Sequence, residues 1–62
     1  MNYIVRFVRR DNKPDEEYYY QDVSDATYHF NLFLEDDSAL YERIELIGLT
    51  PKERLIKVNV YA

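Results

Sequence analysis

The sequence predicts an α+β domain of ββαββ order, a four-stranded, mostly antiparallel sheet with one helix packed on one face. Three observations carry the prediction. Residues 24–38 hold the one stretch whose apolar side chains recur at helical spacing. The residues on either side of it alternate at the strand period of two. Turn formers in 11–15 and 48–54 divide each flank into two strands. With 62 residues, the chain has room for a single small domain, 1–62, of thin stability margin.

In residues 2–10, Tyr3, Val5 and Phe7 fall on one face and Ile4, Arg6 and Val8 on the other, with β-branched and aromatic residues throughout. Asp11, Asn12, Lys13, Pro14 and Asp15 then read as a hairpin turn, in which proline fixes its own backbone angle and removes a ladder donor. The return strand, 16–21, carries Tyr18, Tyr19 and Tyr20 in a row, so both of its faces bear a ring and at least one ring is largely exposed.

Ser24 is the expected N-cap, followed by Asp25 at the positive end of the helix dipole. Ala26, Phe30, Phe33 and Leu34 gather into one apolar stripe, flanked by His29 and Leu32. Glu35, Asp36 and Asp37 place negative charge where the dipole disfavours it, so the helix ends about there and Ser38 begins the exit loop.

Residues 40–49 fit two patterns, a helix with Leu40, Ile44 and Ile47 on one side, or a strand with Ile44 and Leu46 inward. Gly48 and Pro51 close the segment within a few residues, which favours the strand. In 55–61, Ile56, Val58 and Val60 alternate against Leu55, Lys57, Asn59 and Tyr61. The expected inner face is Tyr3, Val5, Phe7, Ile44, Leu46, Ile56, Val58 and Val60, roofed by the helix stripe.

Composition narrows function by exclusion. There is no cysteine for a disulfide or thiolate metal site, one histidine, and one glycine, too few for a glycine-rich phosphate cradle. No cofactor or metal site is implied and no catalytic residue is assigned. His29 is the one candidate general base, and no nucleophile stands in a recognisable pattern with it. The acids Glu35, Asp36 and Asp37, with Asp22 and Asp25, lack the alternating ligands and central glycine of a calcium loop.

Charge is segregated into blocks of +3 (1–10), −9 (11–42) and +2 (43–62), for a net −4. The expectation is a small non-enzymatic protein-interaction or regulatory module that offers an acidic surface to a protein partner, with Glu35, Asp36, Asp37, Tyr18 and Tyr20 as contact residues. The alternative, from another class, is a single-stranded nucleic-acid binder using Arg6, Arg10 and Tyr19, with Arg9 nearby, on the open sheet face. An acidic chain disfavours nucleic acid as partner. Strand 55–61 lies at an edge with few blocking residues and invites pairing between two copies, hence a homodimer. No signal peptide or membrane-spanning run is evident, which points to the cytoplasm. The chain resembles short reading frames of bacterial or phage type, a likeness that assigns no site.

Overall fold

The computed structural model of the chain describes residues 2–34 and 40–61. It contains β1 (Tyr3–Arg9), β2 (Glu16–Tyr20), α1 (Val23–Phe33), β3 (Tyr41–Gly48) and β4 (Arg54–Val60). The strands form one antiparallel sheet in the order β2-β1-β3-β4, and α1 packs on β1, β2 and β3. The ββαββ architecture expected from the sequence is the one observed, and the segment open to two patterns is a strand.

Turn and cap chemistry set where the elements begin. Asn12 sits at φ 62°, the left-handed region that asparagine tolerates, and the Asp11 carboxylate accepts the Lys13 backbone N–H at 3.3 Å. The N-cap of α1 is Asp22, not Ser24: its backbone is extended and its carboxylate accepts the Asp25 N–H at 2.9 Å. The backbone turns helical at Val23, two residues after Gln21, so Ser24 is already inside the first turn, where its hydroxyl no longer reaches a free amide ahead of it. Leu34 is the C-cap. Glu35, Asp36, Asp37 and Ser38 lie outside the described residues.

The core under α1 consists of Val5, Phe7, Ala26, Phe30, Ile44 and Leu46, with Tyr3, Tyr20, Phe33, Tyr41 and Tyr61 packed around it. Phe7 anchors an aromatic group, its ring 5.0 Å from those of Phe33 and Tyr41 and 5.8 Å from that of Tyr18. Val5, Ile44 and Leu46 are fully buried, each contributing roughly 1.5–3 kcal/mol of transfer free energy. Leu34, expected in the stripe, is exposed.

One expected face is inverted. Ile56, Val58 and Val60 were to lie under the helix, yet Lys57 and Asn59 stand opposite the core residues Leu46 and Ile44, while Val58 and Val60 stand opposite Glu45 and Arg43 on the other side. The register between β3 and β4 shifts after Leu46, with Ile56 the extra residue, and this sets the pairing of everything downstream. Among the described residues the α1 backbone makes no close approach to that of β4, and it is Tyr61, one residue beyond the strand, whose hydroxyl donates to the Phe33 carbonyl at 3.3 Å. Along this helix-side row Lys57 is exposed to water, Asn59 is half-buried, and Tyr61 packs against the core at the end of α1.

Candidate interaction surface on the outer sheet face

The face turned away from α1 is built of cross-strand rows. The first runs Tyr19, Ile4, Ile47, Leu55 from β2 to β4. The second runs Glu17, Arg6, Glu45, Val58, and the third Val8, Arg43, Val60. Each row is therefore apolar where it ends on β4. Ile4 and Ile47 are buried at the middle of the first row, but Leu55, Val58 and Val60 are 55%, 46% and 67% exposed. Together with Ile56 they form an apolar strip along an edge strand, flanked by charge.

The charged centre is saturated from within. Arg6 gives Nε to Glu17 at 2.7 Å and Nη2 to Glu53 at 3.0 Å, and Nη1 lies 3.7 Å from Glu45. Burial alone would lower the Arg6 guanidinium, but its bonds to Glu17 and Glu53 hold it above its ordinary value. Glu17 in turn is held below the usual carboxylate range by Arg6 first and by the Tyr19 hydroxyl second, the latter donating at 3.0 Å. Arg43 pairs with Glu45 at 3.2 Å and with Glu42. A shallow depression of about 220 Å³ beside this network is lined by Arg6, Glu45, Ile47, Glu53, Arg54 and Leu55. It falls below the roughly 300–1,000 Å³ of small-molecule pockets, and the Arg6, Glu45 and Glu53 side chains in its walls are already paired with each other.

The residues singled out from sequence are dispersed. Arg6 and Tyr19 share the outer face and the same carboxylate, Glu17. Arg10 is elsewhere, its guanidinium donating to the carbonyls of Tyr41 at 2.9 Å and Tyr61 at 2.8 Å. Arg9 is bound by Asp11 and Glu16, each at 2.6 Å, and the Tyr41 hydroxyl donates to the same Glu16 carboxylate. Tyr18 and Tyr20 point to the helix side, Tyr18 half exposed against Phe7 and Phe33, Tyr20 stacked on His29 with centroids 5.0 Å apart. The acids Glu35, Asp36 and Asp37 are outside the described residues.

His29 is engaged as well. Its Nδ1 lies 2.9 Å from the Asp25 carbonyl oxygen. A carbonyl only accepts, so this nitrogen carries the proton. The ring is thus held by backbone and by Tyr20 rather than by a carboxylate. Among the described residues no group of three histidines or acids gathers as a metal site.

Sequence reasoning missed the exposure of Ile56, Val58 and Val60, while Leu55 lies on the open face where it was expected. The alternation in 55–61 showed two faces, and Lys57 and Asn59 pointed the reading the wrong way, since polar side chains suggest the open face whereas the structure sets them opposite Leu46 and Ile44 on the helix side. No family model, curated protein or solved structure matches the chain.

Proposed function

We propose that the chain is a non-enzymatic protein-interaction module of the cytoplasm, with the outer strip of β4 as its contact element and the acidic middle of the chain biasing the choice of partner. The single observation behind this reading is the pairing of an edge strand with an exposed apolar row, Leu55, Ile56, Val58 and Val60; the other exposed aliphatics among the described residues, Val23, Leu32, Leu34 and Leu40, lie on α1, at its C-cap and just before β3 rather than along a sheet edge. Edge backbone and an alternating apolar row are what strand addition uses. The competing arginine and tyrosine platform is less suited to phosphate, because Arg6 would have to leave three carboxylates and Arg10 two carbonyls before contacting a nucleic acid. No described helix is long and apolar enough to cross a membrane.

The test is site-specific photocrosslinking in cells from a photoreactive residue at Leu55 or Val60, compared with one at exposed Tyr28 on α1. Protein adducts specific to the β4 positions are expected. Equal labelling from both regions counts against β4 as the contact. A companion charge reversal of Glu35, Asp36 and Asp37 should alter which proteins are captured; an unchanged set removes the acidic block from the reading.

A further inference from the structure

We infer that the strip on β4 is occupied by β4 of a second copy of this chain, the two strands pairing antiparallel about a two-fold axis at Val58. The inference rests on β4 being the contact element and adds the identity of the occupant and its register.

Backbone parity supplies the first constraint. The Tyr61 N–H donates to the Glu42 carbonyl at 3.0 Å, which makes Tyr61 and Glu42 a hydrogen-bonded pair of the β3–β4 ladder. Such pairs alternate along an antiparallel ladder, so Asn59 and Lys57 also direct their backbone groups to β3, while Val58 and Val60 direct theirs to the open edge. A strand joining that edge must place its own outward residues opposite Val58 and Val60. For a second copy this restricts the two-fold axis to Lys57, Val58 or Asn59, all of which keep apolar residues on the outer face.

Charge and apolar matching choose among the three. With the axis at Lys57, two lysines stand directly opposite each other, a repulsive arrangement. With the axis at Asn59, Val58 meets Val60 but Lys57 meets Tyr61 and Ile56 falls opposite none of the strip's apolar residues. With the axis at Val58, Val58 meets itself, Ile56 meets Val60 in both directions, and Lys57 meets Asn59. That register alone sets Ile56, Val58 and Val60 all opposite apolar residues of the same strip without opposing like charges. Lys57, which at first sight guards the edge, in this register selects it.

The product is an eight-stranded sheet whose two helices lie on the same side and whose outer face carries one continuous apolar band at its middle. The ion networks of Arg6 and Arg43 lie outside that band on both copies. Because each copy carries −4, their mutual repulsion is screened by salt while the strand contact is not. Association should therefore strengthen with ionic strength, opposite to the behaviour of an acidic surface on a basic partner.

Light scattering and sedimentation at protein concentrations from about 10 µM to 1 mM, a range suited to a small contact, read the mass directly. A dimer that grows at higher salt is expected. Val58→Lys separates contact from folding: in one copy the new lysine lies opposite Glu45, but across the axis it faces its own image. The variant should be monomeric with an unchanged circular dichroism spectrum. Since the chain has no cysteine, register is read by oxidative cross-linking of a mixture of Lys57→Cys and Asn59→Cys, positions about 4.5 Å apart in the Val58 register. The mixed disulfide is expected. An adduct formed by Asn59→Cys alone overturns this register, and a monomer throughout the range overturns the second copy as occupant. In that last case, β4-specific photocrosslinks to a different protein would leave the interaction reading standing, and their absence would remove both.

Discussion

Arg6 shows how one side chain determines the character of a surface. Three carboxylates from β2, β3 and the segment before β4 converge on it, so removing the guanidinium leaves Glu17, Glu45 and Glu53 facing each other. Arg6→Met should cost on the order of 1 kcal/mol, since the partners are only partly buried, and urea titration would read it; an unchanged midpoint would mean the network is ornamental. The same pairs set a pH dependence. Asp11, bound by Arg9, and Glu17, bound by Arg6, both titrate below their ordinary range, so their contribution is present above an unfolded value of about 4 and is lost as pH falls toward the depressed folded values. The melting temperature should fall below about pH 4, less steeply in Glu17→Gln. At the alkaline end, Tyr20 and Tyr41 are raised, in both cases first by burial, with Tyr18 and Glu16 adding respectively. Their contribution is present below about pH 10 and is lost above it, a loss that Tyr41→Phe should reduce. None of these pairings was legible in the sequence, where Arg6 read as an open cation because its partners are 11, 39 and 47 positions away.

At the level of elements, the cap of α1 is the clearest lesson. Asp22, Ser24 and Asp25 are all acceptable cap residues, and composition alone cannot rank them. Geometry does: Asp22 holds the Asp25 amide. Asp22→Ala should destabilise by about 1 kcal/mol and Ser24→Ala by close to nothing, measured by chemical denaturation. The reverse order would reinstate Ser24. Strand identities, by contrast, were readable, because alternation in 2–10 and 55–61 and the turn formers between strands are local signals. The bulge at Ile56 was not, since a register shift depends on the partner strand.

For the molecule as a whole, 62 residues imply a total stability of roughly 3–9 kcal/mol. Leu46→Ala, which empties a fully buried site, costs about 2–5 kcal/mol and should leave a substantial unfolded fraction at room temperature by circular dichroism. Val60→Ala, at two-thirds exposure, should leave the isolated fold within about 0.5 kcal/mol of the parent. A comparable loss from Val60→Ala at low protein concentration would mean that β4 is supported in a way the sheet geometry does not provide.

The residue order by itself determined the ββαββ succession, the helix stripe of Ala26 and Phe30, and the inner residues Val5, Phe7, Ile44 and Leu46, because periodicity and turn chemistry act within a few neighbouring residues. It also determined the acidic balance and the absence of cysteine chemistry. Only the tertiary structure decided the strand order, the carboxylates that engage the arginines, and the side of the sheet on which Val58 and Val60 lie. An alternating strand presents two equivalent faces until a neighbour's register and the reach of the helix distinguish them, and both of those are properties of the packed chain.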